Sequence, residues 1–570
     1  MLRLGASALA LVAPAYAAAQ TASFDPARLS RHVQTLGSDA YEGRGPATRA
    51  ETKTVDYLVR EFSAAGLQPG GDLKDGKRQW TQAVPLLKSD ITGTPHFEVR
   101  TATGAMPLTQ GAQIAVRSPL NGQKQVAVEG APLLFAGYGV EARERNWDDF
   151  KGQDVRGKIL VVLINDPDFE GGEGDFGGKA MTYYGRWTYK YEEAARRGAA
   201  GLLIVHETDP ASYGWETVKN SNTNTMFDIV RANPAADHAP IEGWIQRDTA
   251  VALFRAAGLD FEAAKAAAKR RDFRPVDLKA QFTAHLGAKT EVITSYNVAG
   301  ILPGKSRPDE IVIYTGHHDH LGIGIPDANG DAIFNGAVDN ATGIAHIIEQ
   351  ARAFARGPRP DRSILFLAVG AEEKGLLGSE YYVANPLYPL AKTVGVLNTD
   401  SMGVFGPSRD FTISGQAKLE LLDLLIAEAA RRGRRYTPDP NVGAGYFFRS
   451  DHFPFAQQGV PAISFGSGND LVSGGMARGQ ALAADYRAKR YHQPDDEFLP
   501  TWDFTGIVAD AQLLHAVGLA LATSTVWPNW SSDSEFRATR DRSAAERGAA
   551  PAPVPPPAEP APAPDKGERG

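Results

Sequence analysis

The sequence predicts an α/β protein built on a three-layer, mixed but largely parallel sheet flanked by helices, and three observations point there. Short apolar, β-branched runs at residues 311–315 (IVIYT), 363–369 (SILFLAV) and 394–399 (VGVLNT) have the length and composition of buried strands. Residues 341–354 and 417–432 have helical composition and alternate with them, the order that produces parallel sheets. Each run is also followed at once by residues able to do chemistry: His317 and Asp319, Glu372 and Glu373, and Asp400. Ligands of open α/β sheets bind beyond the carboxyl ends of strands, so strand positions and candidate site support one another.

Taken in order, residues 1–19 open with Leu2-Arg3, continue through an apolar stretch from Ala6 to Ala13, and end in A-x-A patterns of small residues. That is the pattern of a secretory signal peptide. It predicts export, to the periplasm or the extracellular medium, and the stretch is too short to span a bilayer. Residues 20–124 read as the first part of the main domain. From 125 to 265 the chain changes character: runs at 132–140, 159–164 and 199–205, with a helix over 189–197 and an aromatic loop Tyr183-Tyr184-Gly185-Arg186-Trp187, predict a mostly-β insert. Residues 266–537 return to the strand and helix alternation. Residues 538–570, rich in alanine, proline and charge, predict a disordered or polyproline-like tail.

Five segments, Gly316 to His320, Asp339-Asn340, Glu372-Glu373, Asp400 and His492, are expected to supply the oxygen and nitrogen ligands of a two-metal hydrolase. Zinc favours imidazole and carboxylate, and a catalytic zinc keeps one position open for water. Taken singly, an acidic residue after a strand is more often a helix cap or a solvated charge; convergence of three strand ends argues otherwise. Side chains alternate along an extended segment. His317 and Asp319 are therefore expected to share a face, with His318 and His320 pointing elsewhere. Asp319 stands where its carboxylate would hold the His317 imidazole in one tautomer. Glu372 and Glu373 cannot both point to one place, so one is expected to bind metal and the other to act as a base.

The strings TGHHDHLG (315–322), GAVDNATG (336–343), AEEKGLLGS (371–379), NTDSMG (398–403), SDHFPFAQQGVPAISF (450–465) and YHQPDDE (491–497) resemble the co-catalytic di-zinc aminopeptidases. Relatives of that family include glutamate carboxypeptidases and the transferrin receptor ectodomain. YNVAGILPG (296–304) and SDAYEGRGPAT (38–48) look similar as well. The resemblance implies a zinc exopeptidase-like fold and two Zn2+ ions, one held by His317, Asp339 and Asp400, the other by Asp339, Glu373 and His492. It implies Glu372 as general base, Asp319 as orienter of His317, and a cis peptide between Asp339 and Asn340. It brings Tyr446, Phe447 and Phe448 near the specificity pocket; the alternative is that they are core aromatics. The 125–265 insert resembles a protease-associated domain, acting as a substrate guide or as a plain spacer.

The expected activity is removal of N-terminal residues from peptides by a water activated at two zincs. Carboxypeptidase or dipeptidase action, glutaminyl cyclisation and an inactive binding module are the alternatives. The complete second ligand set argues against a single-zinc cyclase and against a dead site. Asn340 stands where some relatives have a second aspartate, which leaves all five ligands intact.

Composition sets the outer bounds. At 570 residues the chain is too long for one ordinary domain, and 43% hydrophobic residues suffice for folded cores. A net charge of −7 with no basic cluster argues against nucleic-acid partners; peptides are the substrates that the resemblance implies. After the N-terminal stretch no run of about 18 apolar residues predicts a membrane span. The absence of cysteine excludes disulfides and a thiol nucleophile.

Overall fold

The computed structural model describes residues 23–172 and 174–547; the expected signal peptide and residues 548–570 of the expected tail lie outside them. The three predicted strands are Arg307–His317, Arg362–Val369 and Thr393–Thr399. They run parallel, and Ala462–Ser467 extends the series beside Thr393–Thr399. Every residue of Arg362–Val369 and Thr393–Thr399 is buried, because helices cover both faces of a parallel sheet.

Alternate residues feed two cores. Val312, Tyr314, Ile364, Phe366 and Leu397 join a large cluster with helices Pro26–Leu36, Arg49–Ala65, Ala341–Arg356 and Thr505–Thr523. Ile311, Ile313, Leu365, Leu367 and Val396 face the other way, toward Tyr382 and Phe455 of helices Leu377–Ala384 and His452–Gln457. Three layers result, as expected. Among the described residues Thr505–Thr523 alone is long and apolar enough to cross a bilayer by length and composition. Leu513, Leu514, Val517 and Leu521 on that helix are buried in the large core.

A long antiparallel pair joins this layer to a second unit. Strand Val276–Leu302 pairs with Thr81–Thr101 from Val298 opposite Thr81 to Gln281 opposite Arg100. Its last residues pair with Arg362–Val369, whereas its first half pairs with Gln125–Phe135. One strand therefore belongs to both halves. Beyond it Gln125–Phe135, Ile159–Leu163, Gly201–His206 and Ile241–Gln246 run parallel, with Ile114–Val116 antiparallel at the edge. Helices Trp187–Arg196, Arg247–Ala256 and Phe261–Ala268 pack on this sheet through Tyr189, Tyr191, Leu253, Phe254 and Phe261.

Two expectations are corrected here. The insert is an α/β unit rather than a mostly-β one, and it exceeds residues 125–265: one of its apolar clusters reaches from Phe97 to Leu286. Those outer residues sit on the long antiparallel pair, where the Phe97 and Phe282 rings stack 6.3 Å apart. Residues 538–547, expected in the tail, are folded. Helix Arg537–Arg542 carries Arg540, which is buried, donates to the Thr393 carbonyl at 3.0 Å and lies 5.6 Å over the Trp527 ring. An arginine used as a buried anchor is invisible to a reading based on composition.

Candidate metal centre

The three parallel strands end side by side, and their tips deliver the predicted groups. His317 is the last residue of Arg307–His317, so its imidazole projects from the sheet edge. Its Nε2 lies 3.2 Å from Asp339 Oδ1 and 3.2 Å from Asp400 Oδ1. On the other side, His492 Nε2 lies 3.3 Å from Asp339 Oδ2 and 3.3 Å from Glu373 Oε2. Asp339 thus faces one cluster with each carboxylate oxygen. The ligand atoms of His317, Asp339 and Asp400 all lie within 4.8 Å of one another, and so do those of His320, Asp339 and Glu373.

Asp339 is positioned from four directions. The peptide linking it to Asn340 is cis, as the resemblance implied. Asn340 caps helix Ala341–Arg356 by accepting from the Gly343 N–H at 3.0 Å, and its amide donates to the carbonyls of His317 and Thr399. An aspartate here would have no N–H to give those two carbonyls. Gly343 is required by the same packing, since a Cβ would stand 2.2 Å from Asn340 Oδ1. Asp496 accepts from the backbone N–H groups of Val338 and Asp339. Arg44 is buried and donates to the carbonyls of Leu36, His318, Asn335, Gly336 and Asp339.

Glu372 and Glu373 open a tight turn after Ala371, whose φ is +56°. Their backbone N–H groups donate to Asp319 Oδ1 and Oδ2 at 3.1 and 3.3 Å. This revises the expected role of Asp319. His317 Nδ1 meets the Asp319 carbonyl at 3.2 Å, while the nearest carboxylate oxygen is 3.9 Å away. The main chain of Asp319 orients the imidazole, and its side chain holds the glutamate turn. Burial pushes the Glu372 carboxyl well above the usual range against the pull of His317, and Glu373, Asp451 and Asp400 push the same way.

His318 points away, bonded to the Tyr296 carbonyl at 2.8 Å, but His320 does not. Its Nδ1 stands 2.7 Å from Glu373 Oε1. Alternation fails because the strand ends at His317 and residues 318–320 are no longer extended in the sheet. Arg44 and Asp496 were not singled out by sequence, and His320 was expected to point elsewhere, although each lies within a string that resembled the family. Ser450 is a further contact, its hydroxyl donating to Asp400 Oδ2 at 2.8 Å.

Phe447 and Phe448 are corrected from candidate substrate contacts to core residues. They are 3% and 5% exposed, with Phe447 packed on His452, Trp530 and Phe536 and Phe448 on Tyr183 and Phe453. Tyr446 remains 37% exposed. This aromatic group sits at the seam with the second unit, where the Met181 N–H donates to the Val442 carbonyl. A cavity of about 910 Å³ follows the seam past Tyr183, Trp187, Arg231, Lys374 and Glu380; the candidate ligands do not border it.

The donor set suits divalent cations. Among the described residues Asp339, Glu372, Glu373 and Asp400 form no ion pair with lysine or arginine; the imidazoles of His317, His320 and His492 are the close partners of Asp339, Glu373 and Asp400, and the buried Arg44 acts on Asp339 and Glu373 from farther off. Buried charge of this kind requires pairing or metal coordination.

Residues 297–515 match the model of Peptidase family M28. Leupeptin-inactivating enzyme 1 of Streptomyces exfoliatus is 33% identical over 186 residues, covering 31% of this chain and 37% of that protein. Aminopeptidase YwaD of Bacillus subtilis (strain 168) is 29% identical over 203 residues, 35% of this chain and 41% of that one. These matches span less than half of either relative. Among solved structures, an aminopeptidase from Aneurinibacillus sp. strain AM-1 is 20% identical with a TM-score of 0.47, over 88% of this chain and 95% of the other.

Proposed function

We propose that this chain, a member of Peptidase family M28 through residues 297–515, is a zinc-dependent exopeptidase that removes N-terminal residues from peptides. The observation that carries the reading is the division of Asp339 between two clusters, Oδ1 toward His317 and Oδ2 toward His492. In this reading His317, Asp339 and Asp400 hold one zinc, and Asp339, Glu373 and His492 the other. The names of the leupeptin-inactivating enzyme and of the Bacillus aminopeptidase agree with it.

When bound, the two ions would supply polarisation of a water and of the scissile carbonyl. Glu372, whose carboxylate lies within 4.8 Å of ligand atoms of His317 and Glu373 but takes no part in the two ligand sets of this reading, takes the proton of the attacking water and returns it to the leaving amine. A carboxyl raised by burial suits that double task near neutral pH. Asp319 keeps Glu372 and Glu373 in separate roles by fixing both of their backbone N–H groups. Export belongs to the same reading, supported by the apolar run at residues 6–13 and the A-x-A sites behind it. N-terminal sequencing of the mature protein checks that part.

Metal analysis with leucine p-nitroanilide hydrolysis tests the activity. About two zincs per chain are expected, with activity lost on chelation and restored by zinc. A zinc-loaded protein inert toward aminoacyl chromophores and active on N-blocked peptides would reject the aminopeptidase reading.

A further inference from the structure

The loop that carries Glu372 and Glu373 spans residues 370–376, between strand Arg362–Val369 and helix Leu377–Ala384. Three of its residues lie in the left-handed region, Ala371 at φ +56°, Gly375 at +119° and Leu376 at +64°. Side chains other than glycine stay there only where their surroundings enforce it. Asp319 fixes two N–H groups in the middle of the loop. Its two ends are joined by Asn297, which is fully buried on strand Val276–Leu302, next to the Val298 that pairs with Ala368. Asn297 Oδ1 accepts from the Gly370 N–H at 3.0 Å, and its Nδ2 donates to the Gly378 carbonyl at 2.9 Å and to Gln82 Oε1 at 3.0 Å. One side-chain amide therefore closes the loop at its neck. The task needs an acceptor and a donor on one planar group, which neither aspartate nor alanine offers.

Glu51 braces the same neck from behind. It lies in the first turn of helix Arg49–Ala65 and is buried, and its carboxylate accepts from the Ser295 hydroxyl, from the Tyr296 N–H at 3.2 Å and from the Ala47 N–H at 2.8 Å. Three donors satisfy a carboxylate that would otherwise be costly to bury. Helix, strand and loop meet there without a gap: a Cβ on Gly370 would stand 2.7 Å from Ser295 Oγ, 3.0 Å from the Tyr296 carbonyl oxygen and 3.2 Å from Glu51 Oε1. Gly378 is as tightly enclosed, since a Cβ there would stand 2.5 Å from Asn297 Oδ1 and 2.2 Å from the Gly370 carbonyl oxygen. Residues 295–297 cannot shift without moving both ends of the loop.

We infer that Asn297 is a positioning residue for the general base, closing the Glu372 loop at its neck, and that Glu51 acts through it by fixing the two residues that precede it. The inference rests on the reading of Glu372 as base and extends the machinery to two side chains that need touch neither substrate nor metal. A displacement of about 1 Å transmitted from such a distance is enough to cost a large factor in rate.

The test measures kcat and KM for leucine p-nitroanilide, zinc content and melting temperature on Asn297→Ala, Glu51→Ala and the double variant, each assayed well below its own melting transition. In Asn297→Ala kcat should fall by about tenfold or more with KM unchanged and both zincs retained, the signature of an interaction that serves only the transition state. Glu51→Ala should lower kcat in the same way by a smaller factor. The double variant should lose less than the product of the two factors, because both residues act on one neck. A lowered melting temperature with wild-type kcat would make Asn297 merely structural and overturn the inference, and so would a loss of zinc in parallel with activity or a change confined to KM. Should Asn297→Ala fail to fold, Ser295→Ala, which removes a single hydroxyl from the same neck, carries the test: lowered kcat with unchanged KM supports the clamp, and wild-type kcat overturns it. Glu372→Gln separates the clamp from the reading beneath it. Near wild-type turnover in Glu372→Gln would reject the base itself, whereas a defect in Glu372→Gln without one in the neck variants rejects the clamp alone.

Discussion

Asp339 presents its two carboxylate oxygens to different imidazoles, whereas His492 reaches only one cluster, and the two side chains should differ accordingly when removed. Asp339→Ala is expected to lose both metals and His492→Ala to weaken one; elemental analysis after dialysis decides, and two zincs retained in Asp339→Ala would sink the bridging role. Glu372→Gln preserves shape but cannot accept a proton. It should keep both metals while kcat falls by about 100-fold or more, so a variant with near wild-type turnover, or with one zinc missing, reassigns the base. The residues bearing these roles were legible because imidazoles and carboxylates stand in short strings at strand tips. Arg44 and Asp496 were not. They act through the carbonyls of Leu36, His318, Asn335, Gly336 and Asp339 and the N–H groups of Val338 and Asp339, and side-chain-to-backbone bonds that mostly span 157 to 295 residues leave no local pattern. His320 was misjudged for a different reason, since a period of two applies only while the strand lasts.

At the level of elements, the seam is held by charge as well as by aromatic packing. Arg231, beyond strand Met226–Ile229, pairs with Asp228 and reaches Glu380 on helix Leu377–Ala384, the helix that follows the glutamate turn. His238 sits within this group, 3.0 Å from Asp228 Oδ2 and 3.1 Å from Glu242 Oε1, with Arg117 and Asp237 nearby. Burial alone would lower the His238 pKa, but Glu242 and Asp228 overcome it and hold the value near about 10. A folded-state pKa above the usual 6.5 means that the contribution is complete below pH 6.5 and disappears as pH rises through 10. Asp228 is held at about 2, so its own share is lost only in strong acid. The melting temperature should therefore fall between pH 6.5 and 10 by about 2 °C or more, and His238→Gln should flatten that part of the profile. Equal slopes for both proteins would remove His238 as the source. The three strands and the acidic groups at their ends could be read from apolar runs, whereas the order of those strands in the sheet, Thr393–Thr399 beside Arg307–His317 beside Arg362–Val369, could not. Nor could the seam, because Arg231 and Glu380 become neighbours only after the second unit has folded.

The whole molecule is two cores threaded on one antiparallel pair, and this decides where it can be cut. Removing residues 125–265, the boundaries suggested by the composition change, would leave Phe97, Val99, Phe273, Phe282 and Leu286 on strands and loops whose apolar partners had gone. Burying a side chain of this size is worth about 1.5–3 kcal/mol, so losing these five removes about as much as the 5–15 kcal/mol by which a domain is stable. That deletion should yield insoluble protein. A cut guided by strand register behaves differently. Ile91 lies opposite Ala288 on the long pair, and the second unit's main cluster of buried residues begins at Phe97 and ends at Leu286. Replacing residues 92–287 with an Asn-Gly hairpin turn, whose twist suits antiparallel strands, should therefore close the pair on the main-domain side and keep every candidate ligand. The shortened chain is expected to be soluble, to unfold in one cooperative transition and to bind about two zincs. It should still release p-nitroaniline from leucine p-nitroanilide while its preference among longer peptides shifts, because the Tyr183 loop that packs on Phe448 and Phe453 leaves with the unit. The exposed remnant of the seam around Phe448 and Phe453, which loses Tyr183, is the site where aggregation would begin, so solubility is measured before activity is compared. If the 125–265 deletion proved as soluble and cooperative as the 92–287 deletion, the long pair would not be the boundary between the two cores.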